Sequence, residues 1–326
     1  MRRFILRLLL FILPLAALTV LSFFVDPIDL YAGPQWIDPW YNHYRAAKVH
    51  DLLYETDFDY DAYLLGSSRM MVMPVEPVNE LGYKTYNFSY NLTRAEDIYL
   101  NLRFLLDHNE RHIELIVLGL DVMLFHDSLP FHRQGQRVPE LARYRIDELR
   151  LPDERFSELE TLTIGLQTTV EALFDELIGT EPTGGFTFET RTGVRTDDTD
   201  RRFVIDAHTL EIWHGIYSGF EELEPRRLAY FDRFIELAAE NDIRILAFLT
   251  TNHAILDDHL RRVTDYAARL TEAREYWDSI DYPGFTWVDL SRVESFNGDP
   301  DGFFDLGHVN PENAELCLEY LLESHY

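Results

Sequence analysis

The sequence predicts an α/β fold: a parallel sheet covered by helices on both faces, with one large insertion and a single N-terminal transmembrane helix ahead of it. Short continuous apolar runs, Tyr63–Leu65, Leu115–Gly119 and Ile243–Leu249, are what parallel strands buried on both faces look like. Stretches with apolar residues at helical spacing separate them, and strand–helix alternation is the signature of a doubly wound sheet. The alternation stops at His126 and resumes after Glu224, which marks the segment at about 126–224 as the insertion.

The chain opens with Arg2, Arg3 and Arg7, runs apolar from Leu8 to Val25 and stops at Asp26. That length approaches the ~20 residues that cross a bilayer. The basic flank stays in the cytoplasm and puts the remainder outside. A cleaved signal peptide is the rival reading, but the Ala-x-Ala ending typical of one is missing. Residues 1–25 are therefore expected to anchor the protein in a membrane by one pass. Residues 26–56, rich in Pro, Trp and Tyr, are expected to form a juxtamembrane stalk that packs at the membrane interface or against the domain. Residues 57–326 form the α/β domain.

The first strand runs into Gly66-Ser67-Ser68. A serine at the end of a buried strand, where a helix begins, is either a cap for that helix or a nucleophile beside converging backbone N–H groups. Next come a short strand, Thr85–Asn91, a Thr93-x-x-Glu96 capping box and a helix with Ile98, Leu102, Leu105 and Leu106 on its apolar face. Leu115–Gly119 is the third strand. The insertion is rich in arginine (Arg133, Arg137, Arg143, Arg145, Arg191, Arg195, Arg201 and Arg202). These are read either as a solvated, salt-bridged surface or as a groove for an anionic polymer. Beyond it, Leu228, Phe231, Phe234, Ile235 and Ala238 line a helix, Ile243–Leu249 is a strand, Asp257 to about Ile280 reads as one long helix, and Phe285–Leu290 is the last strand. Asn310 and Pro311 supply the N-cap and first position of a final helix through Leu322.

A net charge of −28 opposes non-specific binding to nucleic acid or an anionic membrane face. The single cysteine, Cys317, excludes an intramolecular disulfide framework and reads as a core residue.

Loops beyond the C-terminal strand ends of an open α/β sheet share one crevice, which brings Ser68, Asp121, Asn252, His253, Asp305 and His308 to one rim. Asp305 and His308 can supply the base and orienting anion that a serine nucleophile needs; alternatively they form a loop pair that caps the last helix. A divalent metal on Asp305, His308 and His253 is a third reading, but no second histidine or cysteine sits at ligand spacing. No phosphate loop or dinucleotide fingerprint is present, so no metal and no cofactor is expected.

Gly-x-Ser after the first strand, with Asp-x-x-His on the loop before the last helix, resembles the SGNH (GDSL-like) hydrolase superfamily. The framing LLGSSR … YNFS … LIVLGLD … FFDLGHVNP is similar to its membrane-anchored bacterial branch, whose members acylate or deacylate cell-surface polysaccharides, and to the D-alanine transfer protein of teichoic acids. The likeness covers about 57–121 and 227–322 and leaves out the insertion. It implies a three-layer α/β/α, flavodoxin-like domain held outside a bacterial inner membrane, in the periplasm. It implies Ser68 as nucleophile, His308 as base, Asp305 as orienting acid and the Ser68 backbone N–H as an oxyanion donor. The expected substrate is an acyl ester of carbohydrate, with a membrane protein as a possible acyl donor. The chain departs from the family at two blocks: Ser89-Tyr90-Asn91 stands where the family has a glycine, and Asp121 where it has an asparagine. Gly66, Asn91, Asp121 and His253 are the candidates for the oxyanion site and pocket. The competing expectation is a non-catalytic binding or scaffold module on the same fold.

Overall fold

A computed structural model of the 326-residue chain describes residues 44–127, 138–149 and 207–326, together with positions 17, 20 and 21. Most of the expected anchor (1–25), the first part of the expected stalk, and most of the insertion with Arg133, Arg137, Arg191, Arg195, Arg201 and Arg202 lie outside the described residues. The elements below belong to one compact unit, Tyr44–Leu149 with Phe186–Tyr326.

The sheet has five strands, β1 (Ala62–Leu65), β2 (Thr85–Asn87), β3 (Leu115–Leu120), β4 (Arg244–Leu249) and β5 (Phe285–Asp289), in the order β2-β1-β3-β4-β5. All neighbouring pairs are parallel. The register sets Leu64 opposite Asn87 and Val117, so the C-terminal ends of β1, β2 and β3 finish at one edge. This is one of the two common doubly wound orders.

Successive strand residues point to opposite faces, and the core divides accordingly. Tyr63, Leu65, Ile116, Leu118, Leu120, Ile245 and Ala247 pack on one side. There they meet α1 (Tyr44–His50), α4 (Ala95–His108), α7 (Pro225–Glu240), α8 (Ala254–Val263) and α9 (Tyr266–Asp278). Ala62, Leu64, Leu115, Val117, Leu246 and Phe248 face the other layer, α2 (Ser68–Met71), α3 (Glu76–Glu80) and α10 (Pro311–His325). Cys317 is buried in that second layer.

Two local expectations change. The helix α4 starts one residue later than the Thr93-x-x-Glu96 box places it: Arg94 is the N-cap and its backbone N–H donates to Asp97 (3.0 Å). Thr93 instead donates to the Tyr90 carbonyl (2.8 Å), and Glu96 pairs with Arg227. The single helix expected over 257–280 is two, α8 and α9, because Thr264 turns extended (φ −136°, ψ 173°) and its hydroxyl accepts from Tyr266 N (3.2 Å). Part of the expected stalk packs against the domain, one of the two places expected for it. Val49 and Leu52 are buried in the core, and Lys48 donates to the Asn87 carbonyl at the end of β2.

The ends of the insertion meet. His126 and Leu223 form an antiparallel bridge, and Glu224 N donates to the Phe125 carbonyl (2.9 Å). Within the insertion the structure describes α5 (Pro139–Ala142) and α6 (Ala207–Tyr217). Arg143 lies on a tyrosine, over the Tyr144 ring at 4.7 Å.

Candidate active site

The turn after β1 depends on Gly66, whose φ of 152° suits glycine. A Cβ there would lie 2.4 Å from Met70 Cγ, and one on Gly119 of β3 would lie 2.3 Å from the same atom. The two glycines let Met70 pack between the ends of β1 and β3, which draws α2 tight against the sheet edge. Asn87, fully buried, donates to the Met70 and Met73 carbonyls (2.9 and 3.0 Å) and so fixes the segment that follows. Ser67 and Ser68 divide the two readings of the turn. Ser67 is the N-cap of α2, accepting from Arg69 N (3.4 Å). The Ser68 hydroxyl is left to face the loop from the far end of the chain.

That loop delivers a base. Ser68 Oγ is 2.8 Å from His308 Nε2, and His308 Nδ1 is 2.8 Å from Asp305 Oδ2. The other carboxylate oxygen, Oδ1, accepts from the backbone N–H groups of Gly307 (2.6 Å) and His308 (2.9 Å). The loop is closed by Phe304 N donating to the His308 carbonyl (2.8 Å) and by the Phe303–Val309 bridge. Burial pushes the Asp305 pKa up. The His308 ring and the two N–H groups push it down and prevail, so it lies below the ordinary aspartate value. An ionised carboxylate on Nδ1 fixes the tautomer that leaves Nε2 free to accept a proton from Ser68. Cap and triad are not rivals here, since Asn310 caps α10 by accepting from Asn313 N (2.9 Å) and frees Asp305 for the histidine.

The other rim residues divide. Asp121 directly follows β3 and is turned toward Arg69. Its Oδ2 is 2.7 Å from Arg69 Nη1, and its Oδ1 accepts from Met123 N (2.9 Å) and the Tyr217 hydroxyl (3.3 Å). It therefore brings a neutralised carboxylate, not an oxyanion donor, to this edge. His253 caps α8 through Nδ1, accepting from Ile255 N (3.2 Å), and its backbone N–H holds the Leu306 carbonyl (3.0 Å). Burial keeps its pKa below the ordinary histidine value despite Asp301. It braces the loop through that backbone bond. Asn252 donates to the Tyr266 hydroxyl (3.3 Å). Asn91 lies on the turn after β2, next to Tyr90, whose N–H donates to the Gly66 carbonyl (3.3 Å). Among the described residues, no group of three or more His, Cys, Asp and Glu side chains could hold a metal ion.

Sequence reasoning missed Arg69, Trp213 and Tyr217. Arg69 directly follows Ser68 and is buried. Besides Asp121 it donates to the Tyr217 hydroxyl (3.0 Å) and Thr250 Oγ1 (3.3 Å). Burial lowers its pKa, but Asp121 and Tyr217 raise it by more, so it stays a cation. Trp213 of α6 lies across this group, its ring 5.1 Å from the Arg69 guanidinium carbon and 5.5 Å from the His308 ring. Only the position of Arg69 beside Ser68 hinted at any of this.

The arrangement can take a proton from a serine, hold the resulting imidazolium and keep a buried cation beneath the same edge. Compared with protein-family models, the chain matches none, and it matches none of the curated protein sequences.

Proposed function

We propose that the chain is a serine-dependent O-acyl esterase or acyltransferase that acts on carbohydrate of the cell envelope through an acyl-enzyme. The observation that carries the proposal is the continuous Ser68–His308–Asp305 relay, both links at 2.8 Å. In the first half, Ser68 Oγ bonds to the ester carbonyl carbon while His308 Nε2 takes its proton. The tetrahedral adduct then collapses, the bond to the alcohol oxygen breaks, and that oxygen receives the proton from His308. Water or a sugar hydroxyl reverses the sequence in the second half. The parallel sheet in 2-1-3-4-5 order and the strand-end placement of both motifs support the SGNH-like, flavodoxin-type reading of the fold. The envelope setting, with residues 1–25 anchoring the protein in a bacterial inner membrane and its body in the periplasm, rests on the N-terminal sequence. Carbohydrate as substrate rests on the resemblance.

The pairing of Asp121 with Arg69 favours a second reading, a non-catalytic binding module, because it leaves the place of the family's asparagine without an amide donor. Losing one oxyanion donor typically slows acyl transfer ~100- to 1000-fold.

Labelling of the full-length chain by a fluorophosphonate separates the two. Wild type and Ser67→Ala label and Ser68→Ala does not if the serine is activated. Equal background labelling of all three rejects the enzyme and leaves the binding module.

A further inference from the structure

We infer that the indole of Trp213 is the face on which the alcohol part of the ester rests, and that this part is a sugar ring. The inference deepens the acyl-transfer reading and rests on it. In that reaction the alcohol oxygen leaves by taking the proton from His308 Nε2, so it must come within hydrogen-bond reach of that atom, ~2.6–3.2 Å. Whatever is attached to the oxygen therefore lies along the imidazole. The acyl group, bonded to Ser68, lies away from it. The side chain beside the imidazole is the one that reads the alcohol.

That side chain is Trp213. Its ring centroid is 5.5 Å from that of His308, at 54° between planes. It also lies against Gly307: a Cβ on this glycine would come within 2.1 Å of Trp213 Cζ2, so any larger residue would displace the indole. The Arg69 guanidinium carbon supports the ring at 5.1 Å, and Asp121, Tyr217 and Thr250 hold that guanidinium in turn. Tyr217 follows Trp213 by one turn of α6, so the contact that fixes Arg69 also fixes the helix presenting the indole. The indole is thus held in place yet is only half-buried.

A flat, rigid, largely apolar surface with one polar edge complements a ring whose C–H groups share a face and whose hydroxyls project at the rim, as in a pyranose. A short alkyl alcohol covers little of it. The acyl acceptor of the second half-reaction approaches the same histidine, so the same face receives it.

The test compares two esters with one acyl group, ethyl acetate and a mono-O-acetylated methyl xylopyranoside, on the full-length chain. The quantity read is the ratio of kcat/KM for the sugar ester to that for the ethyl ester. We expect wild type to prefer the sugar ester. The ratio should fall about tenfold or more in Trp213→Ala, carried mainly by KM, and recover in part in Trp213→Phe, in line with one apolar binding contact. A wild type that does not prefer the sugar ester, turning over neither included, overturns the inference. So does a ratio unchanged by both variants, or faster turnover of both esters in Trp213→Ala, which would make the indole a cover. Fluorophosphonate labelling of the wild type separates the levels: labelling with an unchanged ratio sinks only the role of Trp213, and absence of labelling sinks the acyl-transfer reading with it.

Discussion

Two of the buried arginine–carboxylate pairs in this domain, Arg227–Glu96 and Arg69–Asp121, are alike in chemistry and different in what they join. Arg227 of α7 pairs with Glu96 of α4 (Nε to Oε2, 3.1 Å), both essentially without solvent exposure, and Arg227 also donates to the His126 carbonyl. It fastens two helices of one layer and the neck of the insertion. Arg69 pairs with Asp121 at the C-terminal edge of β1 and β3, and its remaining donors reach Tyr217 and Thr250. It fastens the exit helix of the insertion to the residue after Ser68. Burial and pairing by themselves do not mark a functional site. Position at the strand ends, on the residue next to Ser68, is what sets the second pair apart.

The sharpest break between the regions comes from the histidine that only one of them serves. His308→Ala should cut ester turnover by about a thousandfold or more while leaving the urea midpoint near that of wild type. Turnover that survives would detach the rim from any chemistry. Glu96→Gln should do the reverse. Leaving Arg227 without its anion should cost about 3 kcal/mol of stability, read from urea unfolding, with turnover per folded molecule unchanged.

Asp121→Asn should move both readouts: about 2 kcal/mol of stability and roughly tenfold in turnover, because Arg69 loses its anion and only one of the two acceptor oxygens remains for Arg69 and Tyr217. If Asp121→Asn and Glu96→Gln behave alike, the distinction between the pairs is wrong.

A further effect is expected in pH. Burial first, then Arg94, lower His126 to about 4 against the pull of Asp127. A base with a depressed folded-state pKa contributes stability above its unfolded value, near 6.5, and loses it as pH falls toward 4. Asp305 is depressed too, from an ordinary 3.8, so its contribution is present above that value and is lost only as pH falls below it. Urea midpoints measured from pH 7 to 3 should show the first decline flattened in His126→Gln and only the second flattened in Asp305→Asn.

The sequence announced the scaffold because buried parallel strands must be apolar without interruption, as in Leu115–Gly119 and Ile243–Leu249, and because Pro311 after Asn310 starts a helix by local chemistry. Serine, histidine and aspartate at the rim were legible for a related reason, since strand order alone brings those loops together. Local patterns failed where a side chain from elsewhere decided the outcome. The start of α4 shifted when Asp97, not Glu96, took the backbone N–H, and Glu96 went to an arginine far along the chain. The division of 257–280 depends on the hydroxyl of Thr264, a residue equally at home inside a helix. Trp213 and Tyr217 were invisible as site residues because nothing in α6 says which part of the sheet it meets.

The bridge between His126 and Leu223 brings the two ends of the insertion together. Because those ends are neighbours, the segment between them can vary without rethreading the sheet. Trp213 and Tyr217 travel with that segment, while the nucleophile and base stay behind. Divergence in this architecture can therefore run on two clocks, a slow one for how a bond is broken and a fast one for whose bond it is.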